Sequence, residues 1–196
     1  MTGAAVAYFT AAVVVTILVR SGDLAAAAPA SSVDELAEGD LLGLLTSGLP
    51  AAVPLAMPQI ALTALAAAVV ISREGATVWW VAALVGHVGS ALISYGVVGL
   101  ASALGSGAAR DAENDPDYGI SAVLAATLGA LLASGLRAGD RVAVAVGAGG
   151  FAALLPFSIG WLGIQHLLAF GLGAAVALRL RSAERDTPDP CGGAPS

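Results

Sequence analysis

Long apolar stretches, separated by short polar segments, account for most of this chain. About 20 apolar residues in a helix cross roughly 30 Å of hydrocarbon, so each such stretch is a candidate membrane span. The six candidates are residues 4–19, 53–71, 78–100, 119–136, 142–157 and 159–178. Five or seven spans are the alternatives to six, because the first and the fifth stretches are short. The pattern predicts an all-α membrane protein, a bundle of six transmembrane helices.

Composition agrees with this prediction, and charge indicates the orientation. Hydrophobic residues make up 58% of the sequence and charged residues 11%, which excludes an ordinary soluble domain. With a cytoplasmic N-terminus, most arginines lie inside, as the positive-inside rule requires. Those inside are Arg73, Arg137, Arg141, Arg179, Arg181 and Arg185, and those outside are Arg20 and Arg110. Most acidic residues, Asp117 among them, then lie outside, and the net charge of −6 argues against nucleic-acid binding.

The spans place a membrane domain at residues 1–182 and a disordered cytoplasmic tail at residues 183–196. Residues 20–52 form an outer loop that is too long for a simple turn. In it, Ser32 and Glu35 have the spacing of a capping box before a leucine-rich stripe, which predicts a helix lying in the membrane interface. The first stretch could alternatively be a cleaved signal peptide, but it lacks the preceding positive charge of such peptides. The sequence thus predicts a multi-pass protein of the cell membrane with both termini in the cytoplasm.

Three polar residues from three spans fall at one depth. Counted from the nearest inner arginine at 1.5 Å per residue, Ser121 lies roughly 24 Å, Gln59 roughly 21 Å and His166 roughly 20 Å into the membrane. Polar groups in hydrocarbon are costly unless they pair or line a wet cavity, so the shared depth predicts one site. Because Ser121 lies in the first turn of its span, that span must begin below the membrane surface, where a polar loop and water can reach it.

Small residues predict which of these spans touch, because they let membrane helices approach closely. They recur along the fourth span at Ser121, Ala125, Gly129 and Ala133, and along the sixth at Ala169, Gly173 and Ala177. If the two stripes face each other, Ser121 and His166 come within or near hydrogen-bonding reach, with Gln59 pointing into the same cavity. The alternative is that small residues are simply abundant in an alanine-rich chain.

The order of these features resembles that of the rhomboid intramembrane serine proteases. That family has six spans with cytoplasmic termini, a Gly-x-Ser motif opening the fourth span and a histidine in the sixth. Gly119-Ile120-Ser121 matches the motif, and small residues follow His166 as they follow the family's histidine. Two further stretches, Leu44-Leu45-Thr46-Ser47 and Arg73-Glu74-Gly75, are similar to the ends of the family's first outer loop and second span. The resemblance covers roughly residues 41–180.

The resemblance implies a hydrolase that cuts transmembrane protein substrates in the lipid bilayer, with no cofactor and no metal. Ser121 and His166 would form a Ser–His dyad that works without a third acid. The backbone of Ser121 and the side chain of Gln59 would bind the oxyanion beside Gly119. Tyr118, directly before the motif, would flank the substrate.

Two departures from the family keep a second function open. Rhomboids usually carry an asparagine and a histidine in the second span that help to bind the oxyanion, and this chain has Gln59 and Leu55 there. The tryptophan–arginine pair of the family's first outer loop is also absent. The alternative is therefore a catalytically inactive rhomboid-like protein that binds or escorts membrane clients. A small transporter or channel is a third class, but the sequence shows neither internal repeats nor a carboxylate inside a span.

Several residues also have a purely structural interpretation. His87 is interpreted as a buried histidine bonded to a neighbour, since neither a cysteine nor a carboxylate lies at its depth to complete a metal site. A lone serine such as Ser121 could bond back to a carbonyl one turn earlier in its helix. Trp79, Trp80 and Trp161 are interpreted as anchors at the membrane interface.

Overall fold

The computed structural model describes residues 1–21, 30–50, 56–113, 115–158 and 160–185. Within these ranges the regular structure is helical, and one isolated antiparallel bridge joins Ser31 to Asp117. The helices are α1 (Gly3–Ser21), α2 (Val33–Ala37), α3 (Leu41–Thr46), α4 (Ala56–Glu74), α5 (Ala76–Ala103), α6 (Gly107–Ala112), α7 (Ile120–Ala138), α8 (Arg141–Leu154) and α9 (Trp161–Arg185). The predicted all-α class is confirmed.

Five of the described helices, α1, α4, α5, α7 and α9, are long and apolar enough to cross a membrane, which fits a multi-pass membrane protein. The predicted span at residues 142–157 is instead a shorter apolar segment, in which α8 continues into a 3₁₀ turn at Leu155–Phe157. Its start is fixed by Asp140, whose carboxylate accepts the N–H groups of Val142 and Ala143 at 2.9 and 3.1 Å. Pro156 lies in the 3₁₀ turn and cannot continue the α-helical hydrogen bonds.

Helix α7 is the centre of the bundle and packs against α4, α5, α8 and α9. It is 83% buried along its apolar window, against 33% for α4 and 22% for α1. The predicted contact between small-residue stripes is confirmed: a Cβ at Gly129 would lie 2.0 Å from the Phe170 carbonyl oxygen, and one at Gly173 would lie 2.1 Å from that of Ala126. Glycine therefore lets α7 and α9 approach backbone to backbone.

The single interfacial helix predicted after Ser32 is two short helices. Ser32 caps α2 as predicted, its hydroxyl accepting the Glu35 N–H at 3.2 Å. Gly39 then takes a φ of +93°, which ends the helical path, and Asp40 caps α3 by accepting the Gly43 N–H at 2.8 Å. The structure describes the outer loop only at residues 20–21 and 30–50, so the rest of that prediction lies outside the described residues.

Two further predictions need correction. The tail predicted to be disordered from residue 183 begins as helix, because α9 continues to Arg185, and residues 186–196 lie outside the described ranges. Trp79 is not an interfacial anchor: its side chain is fully buried and donates its indole N–H to the Thr127 hydroxyl at 3.2 Å. Trp80 and Trp161 are half-buried.

One end of the bundle, here called the arginine end, is held by ion pairs. The buried carboxylate of Glu74 accepts the guanidinium groups of Arg137 at 2.6 Å and Arg181 at 3.0 Å, and it also bonds the Ser134 hydroxyl. Nearby, Arg73 and Asp140 pair at 2.8 Å. These contacts join α4, α7, α9 and the start of α8, so three of the six predicted inner arginines, Arg73, Arg137 and Arg181, lie together at one end.

Candidate active site

Ser121 and His166 lie in direct contact. The Ser121 hydroxyl is 2.8 Å from Nε2 of His166. Ser121 is in the first turn of α7, and His166 is in the second turn of α9, where its ring is buried. The predicted hydrogen bond between Ser121 and His166 is therefore confirmed.

The start of α7 is recessed within the bundle. The N–H of Gly119 donates to the carbonyl of Ser47 at 2.8 Å, and a Cβ at Gly119 would lie 1.9 Å from Cε1 of His87. Only glycine fits there. From His87, α5 continues to Ala103, roughly 24 Å farther at 1.5 Å per residue. A polar loop thus descends into the bundle before Ser121, as expected for a helix that begins below the surface.

His87 supports this recessed backbone. Its ring is buried, with Nε2 3.0 Å from the Leu44 carbonyl oxygen and 3.3 Å from the Ser47 hydroxyl. The interpretation as a buried histidine bonded to neighbours is confirmed. Among the described residues, no group of three or more His, Cys, Asp or Glu side chains is placed to hold a metal ion.

A second hydroxyl, which the sequence pattern did not indicate, contacts the other ring nitrogen of His166. Ser158 Oγ lies 2.6 Å from Nδ1 and also donates to the Leu154 carbonyl at 3.0 Å. Ser158 lies in the connection between the 3₁₀ turn and α9, eight residues before His166. No helical or strand periodicity relates two positions across such a loop, so the sequence offered no signal for this contact.

Asp117, one of the acidic residues that the charge pattern places outside, is buried, with 2% of its surface exposed. Its carboxylate accepts the Gln165 side-chain amide at 2.5 Å and the Tyr95 hydroxyl at 3.1 Å, and its backbone pairs with Ser31. A buried charge needs such partners. They fix the loop before Ser121 against α5 and against the residue next to His166.

Gln59 lies in a groove between α4 and α8. The groove has a volume of about 650 Å³, is mostly apolar, and has α7 as its floor. Ser121 and His166 are not among its described lining residues, and Leu124, one turn after Ser121, is the nearest point of α7 that is. Among the described residues, the predicted cavity common to Gln59, Ser121 and His166 is therefore not shown. The side-chain oxygen of Gln59 is buried without a hydrogen-bond partner in the described chain.

Tyr118 and Gly119, the remaining predicted site residues, directly precede the helix that carries Ser121, and Tyr118 is half-buried. Leu55, at the family's histidine position, lies outside the described residues. At the start of α7, the N–H groups of Ala122 and Val123 donate to the Gly119 carbonyl, and Gly119 has no side chain to cap those of Ile120 and Ser121. With the positive end of the helix dipole, they form a place where negative charge on an oxygen is stabilised.

The arrangement offers a hydroxyl and a base in contact with it at the start of a helix, which are parts that acyl transfer uses. Neither the protein-family models, nor the curated proteins, nor the solved structures with which the chain was compared gave a match.

Proposed function

We propose that this chain is a rhomboid-type intramembrane serine endopeptidase that cuts transmembrane protein substrates. The observation that carries the proposal is the 2.8 Å hydrogen bond between the Ser121 hydroxyl and His166 Nε2 at a recessed helix start. A serine without a side-chain partner in a membrane helix usually donates its hydroxyl hydrogen to a backbone carbonyl of the same helix. Ser121 instead bonds an imidazole from another helix, which is the pairing that makes serine a nucleophile.

In the proposed reaction, His166 Nε2 takes the Ser121 proton as the oxygen bonds to the carbonyl carbon of the substrate. The resulting oxyanion lies at the start of α7, where the Ser121 N–H and the helix dipole stabilise it, with Gln59 as a second donor. The imidazolium returns its proton to the leaving amine, and an acyl-enzyme remains. Water that reaches the recessed helix start then hydrolyses that ester.

The groove between α4 and α8 is the proposed route for the substrate. It is apolar, opens between two helices of the bundle and runs along α7 toward the turn that carries Ser121. A transmembrane segment can enter it without leaving lipid, and unwinding near its end exposes a peptide bond to the pair. In this proposal α8 is the fifth of six spans, both termini are cytoplasmic, and the protein lies in the cell membrane.

The test is cleavage of a single-span substrate in proteoliposomes containing the full chain. Ser121→Ala and His166→Ala should abolish cleavage, and Ser121→Ala should leave thermal unfolding nearly unchanged, because it removes only one hydroxyl. Ser94→Ala is the matched control: its hydroxyl is buried on α5 without a hydrogen-bond partner in the described chain, so it should cleave at the wild-type rate. Equal cleavage by wild type and Ser121→Ala would remove the proposal.

A client-binding protein without activity is the second candidate. It is favoured by the groove, whose described lining omits both Ser121 and His166, and by Gln59 at the position where rhomboids usually carry asparagine. This alternative expects that wild type and Ser121→Ala bind the same membrane clients equally and that neither cleaves them.

A further inference from the structure

His166 lies between two serine hydroxyls, and the proposed reaction uses only one of them. Nε2 faces Ser121 at 2.8 Å, whereas Nδ1 faces Ser158 at 2.6 Å. In serine hydrolases with a third acid, a carboxylate occupies the Nδ1 side and fixes the tautomer and orientation of the ring. Here that side is occupied by a neutral hydroxyl from the loop before α9.

The hydrogen bonds of Ser158 determine which nitrogen carries the proton. The hydroxyl has a single hydrogen, and the Leu154 carbonyl at 3.0 Å can only accept it. The Ser158 oxygen is then an acceptor toward Nδ1, so Nδ1 carries the ring proton. Nε2 is left with a free lone pair that faces Ser121. The opposite tautomer would leave the Ser158 and Leu154 oxygens facing each other without a proton.

Ser158 is held in this position by its surroundings. Its backbone N–H donates to the Leu155 carbonyl at 3.0 Å at the end of the 3₁₀ turn. On the side of α9, a Cβ at Gly163 would lie 3.0 Å from the Ser158 carbonyl oxygen, so the absence of that side chain lets the loop pack on the first turn of α9. The hydroxyl is therefore presented to the imidazole by the packed backbone of the loop.

We propose that Ser158 is a positioning residue that holds the His166 ring with its proton on Nδ1 and its free lone pair toward Ser121. This inference rests on the proposed function of the pair. During the reaction Ser158 gains and loses no proton: the Ser121 proton moves to Nε2 and then to the leaving amine. The Nδ1–H···Ser158 bond persists and strengthens while the ring is an imidazolium, because hydrogen bonds from charged donors are the stronger ones.

Three variants of the full chain test this role in the cleavage assay. Ser158→Ala removes the acceptor and should lower kcat roughly 10- to 100-fold, as expected for loss of one hydrogen bond to a charged group. Ser158→Thr keeps the hydroxyl and should restore most of the rate. Ser72→Ala is the control, because its hydroxyl also bonds a nearby backbone carbonyl, that of Val69 at 2.8 Å, but lies at the arginine end.

The ring nitrogens provide a readout that does not depend on activity. The sequence has two histidines, so ¹⁵N-histidine labelling gives two rings, and His166→Gln identifies the signals of His166. At a pH where the ring is neutral, wild type and Ser158→Thr should carry the proton on Nδ1. Ser158→Ala should show a mixture of the two tautomers.

A slower Ser158→Ala with mixed tautomers, both restored in Ser158→Thr, supports the positioning role. A ring unchanged in Ser158→Ala, or a wild-type cleavage rate in that variant, overturns it. If wild type itself cleaves nothing, the proposed function fails, and the ring signals alone then decide the role of Ser158.

Discussion

The two sides of α7 are built in opposite ways. Toward α5 and α9, glycines let backbones meet: besides Gly129 and Gly173, a Cβ at Gly86 would lie 2.3 Å from that of Ala126. Between α4 and α8, by contrast, a groove of about 650 Å³ remains over the same helix. Toward α5 and α9 the helix is thus closed to a side chain at these three glycine positions, whereas the groove has room for a guest.

This difference assigns two tasks to two sides of the helix: the tightly packed side positions Ser121 and His166, and the groove gives a substrate access to them. Ser121 and His166 lie on α7 and α9, two helices of the tightly packed side. The close contact between these helices, here called the seam, holds the two side chains at 2.8 Å. A misplacement of about 1 Å costs on the order of 10² in rate, which makes such rigidity useful. The groove supplies the opposite property, an opening between two helices that share few contacts. Changes that force the helices of the seam apart should therefore affect fold and chemistry together, and changes that fill the apolar part of the groove should affect substrate entry alone.

The largest effect is expected where the seam itself is split. Gly173→Leu places a side chain where the Ala126 carbonyl already lies, so α9 must move away from α7. Overpacking typically costs about 1–3 kcal/mol and more when backbone has to move. Thermal unfolding in detergent should lose its cooperative transition. Gly171→Leu is the matched control two residues away on the same helix, because a Cβ there meets nothing within 4 Å, and it should unfold as wild type does.

The next effect concerns the oxyanion. Gln59→Ala should lower kcat by about 10²–10³ while KM changes little, since one donor to an oxyanion is worth that much. Steady-state kinetics in proteoliposomes measures both constants. A variant with the wild-type kcat would show that Gln59 is only a groove-lining residue, and the oxyanion would then depend on the start of α7 alone.

A smaller effect is expected from filling the groove. Val146 lines the groove from α8 and is half-exposed, so Val146→Trp should obstruct a transmembrane substrate. We expect kcat/KM for such a substrate to fall about tenfold, equivalent to about 1.4 kcal/mol of lost binding. Labelling by a small fluorophosphonate should be unchanged.

Ala148→Trp is the control for this change, because Ala148 is exposed on α8 but is not a groove residue. Equal cleavage by the two tryptophan variants would contradict access through the groove. Slower labelling of Val146→Trp would instead mean that the groove and the seam are not independent.

The smallest effect lies at the arginine end of the groove. Hydrogen bonds from the Ala143 N–H and the Arg73 guanidinium hold the pKa of Asp140 below its usual value. A carboxyl with a lowered folded pKa stabilises the fold above its unfolded pKa of about 3.9, and this contribution is lost as pH falls through the lower folded value. Asp140→Asn keeps a capping side chain but no charge. Its melting temperature should be slightly below that of wild type at neutral pH, and the two should converge in acid.

The sequence predicted the parts of the site that lie on long helices. Ser121 and His166 could be paired because helical rise fixes depth and small residues mark the contact face. Features that depend on loops could not be predicted. Gly39 breaks a helix through a positive φ, and Ser158 reaches His166 across an irregular connection. Neither has a periodic signal.

Asp117 and Trp79 show a second limit. A carboxylate in a polar loop next to a span is usually solvated, and a tryptophan near the end of a span usually lies at the interface. Their burial follows from tertiary partners, the Gln165 amide and the Thr127 hydroxyl, which are distant in sequence. The shorter α8 has a local cause, because Asp140 and Pro156 bound it on either side.

The most direct test of the central claim is reaction of the full chain with a fluorophosphonate in detergent, followed by peptide mapping. A single adduct on Ser121 is expected in wild type. It should be absent from Ser121→Ala and His166→Ala, and Ser121→Ala should unfold at nearly the wild-type temperature. An unlabelled wild type, or an adduct on Ser158 in place of Ser121, would contradict the account.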